Sequence, residues 1–256
     1  MSSLFEVVLV AGIAGCATGL GALPVFFTQR VSHRVYDGAI GFAAGIMFGA
    51  AVFALILPGL EFGTLPEVAT GIVVGGLFLL AANAVLPHLH MWFRGEHREG
   101  FSVAEDDGLR RALLVGGAIT LHNVPEGLAV GIAFASGEEA LALSLAFAIA
   151  VQNVPDGFAM AVPAVNAGVS RSKTVLYTTM SGGVPEPVAA ALGFALVLVV
   201  TDLFPVAAGF AAGAMMAVIF REMIPASHGH GHEDGATFTF VGGFVLMMII
   251  DVALAV

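Results

Sequence analysis

His122-Asn123-Val124-Pro125-Glu126-Gly127 and Gln152-Asn153-Val154-Pro155-Asp156-Gly157 are two versions of one polar hexapeptide, and each lies inside a long apolar segment. An ionisable side chain at the centre of a membrane helix costs roughly 2.5–3.5 kcal/mol or more. Packing does not explain why two hexapeptides carry ionisable side chains at equivalent positions at this cost. No Lys or Arg lies between residues 112 and 170 to supply a counter-charge. The sequence therefore indicates a bound metal cation.

The composition is that of a membrane protein. Hydrophobic residues make up 58% of the 256 residues and charged residues 11%, against about 45–50% and about 25% in soluble domains. Apolar stretches of about 20 residues recur along the chain, as in membrane-spanning helices. We predict an all-α protein with one transmembrane domain over 1–256. Its eight spans are expected at about 7–27, 38–60, 66–87, 110–135, 140–165, 173–200, 203–225 and 236–256.

The basic residues predict the orientation. All nine lie in the odd-numbered connections or at the helix ends beside them, whereas the even-numbered connections carry acids. Because basic loops face the cytoplasm, both termini are expected outside and the loop at about 88–109 inside. The first six residues contain no Lys or Arg, so the first apolar segment is interpreted as a retained helix. The basic residues are Arg30, Arg34, Arg94, Arg98, Arg110, Arg111, Arg171, Lys173 and Arg221.

Charge and cysteine content exclude several classes of function. The formal net charge is −10 and the sequence contains no basic patch, which disfavours nucleic-acid binding. A single cysteine, Cys16, allows neither a disulfide framework nor a thiolate metal cluster.

The hexapeptides predict one shared site. His122 and Glu126 are four positions apart and lie on one helical face, with Asn123 at its border. Each proline lacks the N–H that would bond the carbonyl four residues earlier, so a broken helical turn is expected there. If the two faces meet, Gln152, Asn153 and Asp156 complete a set of nitrogen and oxygen donors. Such donors suit Zn²⁺, Fe²⁺, Mn²⁺ or Cd²⁺ better than Cu⁺.

Three further residues each have two interpretations. Glu186 lies between two prolines within the sixth apolar segment and is either a helix cap or a third carboxylate ligand. Glu222 lies at a helix end beside Arg221 and is either half of an interfacial ion pair or a metal contact. Met47 is either a packing residue or a single soft ligand, although its sulfur is a weak donor.

Two histidine-bearing stretches, one with His88, His90 and His97 and one at 228–232, lie on the predicted cytoplasmic side. Each is either a solvated linker or a weak metal-capture segment, since imidazole is the commonest protein metal ligand.

At these motifs the chain resembles the ZIP family of divalent metal transporters, particularly its prokaryotic branch with the HNxPEG phrase, over its whole length. The resemblance implies a transport site, often binuclear, between helices 4 and 5, and an elevator-like or rocking motion that moves metal inward. It implies that His122, Glu126 and Asp156 hold the principal ion. The family usually has Glu at the position of Asp156. The resemblance also implies that Asn123, Gln152, Asn153 and Glu186 complete a neighbouring metal position, and that Met47 is a ligand on helix 2. It implies a cytoplasmic release path formed by His88, His90, Glu222 and His228.

We therefore expect zinc uptake across the plasma membrane, with other divalent metals as further substrates. Two alternatives stay open: an intramembrane metal-dependent hydrolase, for which H-E-x-x-H is missing, and a metal sensor. The expected partners are the lipid bilayer and metal ions. A homodimer is also considered, because Gly71, Gly75 and Gly76 would let helices approach closely.

Overall fold

The structure is a computed structural model that describes residues 3–27, 32–93 and 103–254, and for residues 85–93, 103–116, 118, 119 and 201 the backbone alone. Every regular element in these ranges is helical, as predicted. We number eight helical segments along the chain: α1 Leu4–Phe26, α2 His33–Phe62, α3 Leu65–Phe93, α4 Val103–Ala135, α5 Glu139–Asn166, α6 Arg171–Val199, α7 Phe204–Ser227 and α8 Glu233–Leu254.

Seven of these segments are long and apolar enough to cross a membrane among the residues described, namely α1, α2, α3, α5, α6, α7 and α8. They coincide with seven of the predicted spans. The predicted span 110–135 corresponds to α4, which is not among the seven. The loop predicted at 88–109 was too long: α3 continues to Phe93 and α4 begins at Val103. The prediction followed polarity, but histidine is compatible with a helix.

Two helices contain a π-helical segment ahead of a proline. In α2 it is Ala51–Ile56, followed by Pro58, and in α7 it is Ile219–Met223, followed by Pro225. A proline cannot donate to the carbonyl four residues earlier, so the preceding backbone changes its hydrogen-bonding pattern. π-helical turns are frequent at functional sites, and the one in α7 contains Glu222.

The predicted helix breaks at the two hexapeptide prolines do not occur. α4 runs continuously through Pro125, and α5 runs through Pro155. Breaks lie in other segments: in α6 one helix ends at Gly183 and the next begins at Pro185, and in α1 one helix ends at Cys16 and the next begins at Thr18. A proline at the first helical position is favourable because its fixed φ suits the helix and its missing N–H is not needed there.

Glycines bring α4 against α6. Gly127 and Gly131 are one turn apart on α4, and a Cβ atom added to them would lie 2.3 Å from the Glu186 carbonyl oxygen and 2.0 Å from that of Ala190. The two backbones are therefore in contact, as in small-xxx-small membrane interfaces. Gly15 of α1 contacts Gly182 of α6 in the same way. These contacts fix the position of the α6 break beside the first hexapeptide.

A second set of glycine contacts joins α2 to α8 and α3 to α7. A Cβ at Gly45 would lie 2.0 Å from the Phe240 carbonyl oxygen, and one at Gly75 would lie 1.9 Å from that of Phe210. Gly71 meets Val206 and Phe210 similarly. Gly71 and Gly75 are thus used for packing within one chain, so they no longer support the homodimer, which stays an untested prediction.

The α4–α6 contact predicts the effect of one added methyl group. Gly131→Ala should lower the thermal unfolding temperature in detergent, because overpacking against the Ala190 backbone costs roughly 1–3 kcal/mol. Gly242→Ala in α8 is the matched control, since a Cβ there meets nothing within 4 Å. Equal unfolding temperatures for the two variants would show that α4 and α6 are not in backbone contact.

Candidate metal centre

Glu126 of α4 is fully buried and is held by α5 through one carboxylate oxygen. The amide Nε2 of Gln152 donates a hydrogen bond of 2.6 Å to Oε1 of Glu126. The other oxygen, Oε2, is buried and has no hydrogen-bond partner among the described residues. The two hexapeptides are therefore in contact through the fifth residue of the first and the first residue of the second.

Glu186 shows the same arrangement with the next residue of the second hexapeptide. It lies in the first turn after the α6 break and is fully buried. Asn153 Nδ2 donates to Oε1 of Glu186 at 2.7 Å and to the Ala14 carbonyl at 2.9 Å. Oε2 of Glu186 is again buried and without a described partner. Asn153 thus connects α5 to both α1 and α6.

His122 is oriented by a carboxylate from α7. Its Nε2 lies 2.5 Å from Oε2 of Glu222, and Asn83 of α3 donates from Nδ2 to the other Glu222 oxygen. Because an ionised carboxylate only accepts, Nε2 is the donor, and a neutral imidazole then keeps its lone pair on Nδ1. Nδ1 is buried without a described partner. In many metal sites, a histidine donates one ring N–H to a carboxylate in this way, which orients its other ring nitrogen toward the metal.

Asp156 and Asn123 complete the cluster. Asp156 is buried and lies within electrostatic range of His122, Glu126 and Glu186. Asn123 donates from Nδ2 to the Ser181 carbonyl at 2.7 Å. Both residues keep one buried oxygen without a described partner, Oδ2 in Asp156 and Oδ1 in Asn123.

The unpartnered atoms of this cluster are all electron-pair donors. Ten buried side-chain nitrogen or oxygen atoms in the described residues lack a partner, and seven of them belong to the two hexapeptides and Glu186. Buried polar atoms are normally hydrogen-bonded. The side-chain amides of Asn123, Gln152 and Asn153 donate their N–H groups to neighbouring residues. Their carbonyl oxygens remain available to coordinate a cation that enters the site. The seven are His122 Nδ1, Asn123 Oδ1, Glu126 Oε2, Gln152 Oε1, Asn153 Oδ1, Asp156 Oδ2 and Glu186 Oε2.

As these side chains lie, no three of the described His, Cys, Asp and Glu groups could hold one ion. The donors share one region, but His122 is bonded to Glu222 and two carboxylates are bonded to amides. Closure around an ion therefore requires rotation of side chains.

The remaining predicted residues have mixed outcomes. Met47 is fully buried in the apolar core, in agreement with its packing interpretation. Glu222 is partly buried, and its carboxylate contacts the His122 imidazole. His228 uses Nδ1 with Ser227 and Ile224 and Nε2 with Thr237. His88 and His90 lie on α3, but their side chains, like all of His97, lie outside the described part.

Sequence reasoning missed Asn83, which holds Glu222. Its signal was a single amide in the apolar segment Leu79–Ala84. That signal is weak, because an isolated Asn in a membrane helix has many available partners.

The chain is similar to known proteins over almost its whole length. The sequence profile described as the ZIP zinc transporter family matches residues 107–251. The chain belongs to the ZIP family. It is 40% identical to zinc transporter GufA of Myxococcus xanthus, over 96% of this chain and 98% of the relative. It is 39% identical to zinc transporter ZIPB of Bordetella bronchiseptica, over 96% of this chain and 81% of the relative.

The Asn153 hydrogen bonds predict a measurable stability effect in this ZIP protein. Asn153→Ala leaves the Glu186 oxygen and the Ala14 carbonyl without their donor, which should cost about 1–3 kcal/mol and lower the thermal unfolding temperature in metal-free detergent. Asn166→Ala removes an exposed amide from the end of the same helix and should have little effect. Equal effects of the two substitutions would contradict the bridging role of Asn153.

Proposed function

We propose that this protein carries divalent transition-metal ions, zinc foremost, across the plasma membrane into the cytoplasm. One observation carries the proposal: seven buried acceptor atoms without described partners gather on α4, α5 and α6, and residues 112–170 and 174–220, which include all seven, contain no Lys or Arg. Cations bound at two adjoining positions would supply the missing partners. Membership of a family of zinc transporters supports zinc as the first substrate, with Fe²⁺, Mn²⁺ and Cd²⁺ as further candidates.

His122, Glu126 and Asp156 are the proposed principal ligands. Asn123, Gln152, Asn153 and Glu186 form an adjoining second position, so that the site is binuclear and asymmetric. Imidazole with carboxylate and amide oxygens suits borderline divalent ions. We keep Met47 as a proposed soft ligand, because α2 packs against α5. Asp156 is proposed to join the two positions despite its short side chain.

Glu222 is the proposed first step of release. It already contacts His122, and α7 continues from it toward His228, on the side that the basic loops mark as cytoplasmic. Asn83 orients its carboxylate. We propose that an ion leaving His122 passes to Glu222 and then toward His88, His90 and His228. The inward membrane potential favours this direction by about 2.3 kcal/mol per charge per 100 mV.

We also propose a topology with eight crossings and both termini outside, which puts the end of the release path on the cytoplasmic side. α4 would be the eighth crossing. Its 33 residues span about 50 Å at 1.5 Å per residue, more than the roughly 30 Å of hydrocarbon. It packs against α5, α6 and α7, each long and apolar enough to cross.

The two alternatives are less well supported. A catalytic zinc site commonly has three protein ligands and an open water position, whereas the intramembrane cluster contains one histidine, His122, and the sequence contains no H-E-x-x-H motif. A sensor would bind metal without moving it. Accumulation of labelled zinc inside vesicles distinguishes a transporter from a sensor that binds it stoichiometrically.

Removal of one carboxylate tests the transport site. Glu126→Ala in proteoliposomes should reduce uptake of radiolabelled zinc by about 10–100-fold or more, since even outer residues of metal sites contribute that much. Glu139→Ala is the matched control, because it removes an exposed carboxylate from the start of α5. Uptake by Glu126→Ala at the rate of Glu139→Ala would contradict the site assignment.

Cysteine labelling tests the topology. In a Cys16→Ser background, Glu138→Cys in the α4–α5 connection should react with an impermeant maleimide in intact cells. Ser172→Cys near the start of α6 should react only after permeabilisation. Both native side chains are exposed, so accessibility within the protein does not decide the result. The reverse labelling pattern would place the termini inside.

A further inference from the structure

A second polar cluster lies where the α7–α8 connection packs on the start of α2. Asp37 of α2 is fully buried, and its Oδ1 lies 2.8 Å from Nδ1 of His230 in the connection. The second oxygen, Oδ2, is also buried and has no described partner. These residues lie outside the intramembrane cluster and share no side chain with it.

The ring of His230 is fixed on two sides. His33, one turn before Asp37, stacks on it with ring centroids 4.1 Å apart and planes inclined by 20°. Tyr36 meets it edge-on, with centroids 6.0 Å apart. His33 is exposed, so the face formed by the two imidazoles is open to solution.

The Asp37 contact determines which nitrogen of His230 is available. An ionised carboxylate accepts, so Nδ1 carries the proton, and a neutral ring keeps its lone pair on Nε2. No hydrogen bond to Nε2 is found among the described residues. Carboxylate, histidine and metal occur in this order in many protein metal sites. A cation on Nε2 would also compensate the buried charge of Asp37, which a neutral imidazole leaves unbalanced.

We propose that His33 and His230 form a two-imidazole site for a borderline divalent ion such as Zn²⁺, with Asp37 as the positioning residue for His230. Zn–N bonds of about 2.0–2.1 Å in a tetrahedral site put ligand nitrogens about 3.3 Å apart. Because each lone pair lies in the plane of its ring, the two stacked rings would turn out of their near-parallel arrangement to direct one nitrogen each at the same ion. Water fills the remaining positions. The site would hold metal where the α7–α8 connection contacts α2, separately from the transported ion.

Zinc stoichiometry tests this site. Equilibrium dialysis of purified full-length protein with Zn²⁺ alone should show one ion fewer for His33→Ala and for His230→Ala than for His232→Ala, which removes an exposed histidine of the same tract. The comparison is made in the native and in the Glu126→Ala background. The loss should appear in both, so it does not depend on the proposed transport site. Because His33 is exposed, zinc loss in His33→Ala does not arise from a folding defect, even if His230→Ala folds poorly.

The role of Asp37 is tested separately, by the zinc affinity of its variants and by the spectrum of bound Co²⁺. Asp37→Asn should weaken binding at this site by about 10–100-fold while the stoichiometry at saturation stays unchanged. It should also alter the visible spectrum of Co²⁺ bound there, and Asp37→Glu should restore part of the affinity. If His33→Ala and His230→Ala bind as much zinc, with the same affinity, as His232→Ala, the cluster only fastens the connection to α2 and the proposal is wrong.

Discussion

The structure depends on a shared feature of two buried carboxylates: each has one oxygen bonded to an amide and one oxygen left without a partner. Gln152 holds Glu126, and Asn153 holds Glu186. Burying an uncompensated charge is costly, and one amide hydrogen bond offsets only part of that cost. In the proposed function, a cation that binds the free oxygens offsets the rest, so that the affinity for metal arises from the same burial that disfavours the metal-free site.

The close packing of helices makes this arrangement geometrically feasible. Gly127 and Gly131 let α6 approach α4 to backbone contact, and the α6 break puts Glu186 in the first turn of a helix at that level. In contrast, α7 reaches the cluster through the side chain of Glu222 alone among the described polar contacts. A contact made by one side chain is more easily exchanged than the backbone contacts that tie α4 to α6. This difference supports the proposed release step from His122 to Glu222.

Local patterns predicted much of this site, whereas long-range contacts escaped prediction. Apolar runs gave the positions of the helices, and the repeated hexapeptide gave the donors, since a four-residue spacing fixes a helical face. Asn83 and Glu222 are 139 residues apart and Asp37 and His230 are 193 apart, and no local pattern pairs such residues. The expected breaks at Pro125 and Pro155 were wrong because a helix can continue past one missing hydrogen bond. The break at Val184 follows from a denser run of glycine and proline.

X-ray absorption at the zinc edge tests the central claim most directly. The protein would carry His33→Ala and His230→Ala, so that bound zinc reports on the intramembrane site. The account predicts a first shell dominated by oxygen with one imidazole nitrogen, from carboxylate and amide groups around His122. A shell with two or more imidazoles, or no bound zinc at all, would contradict it.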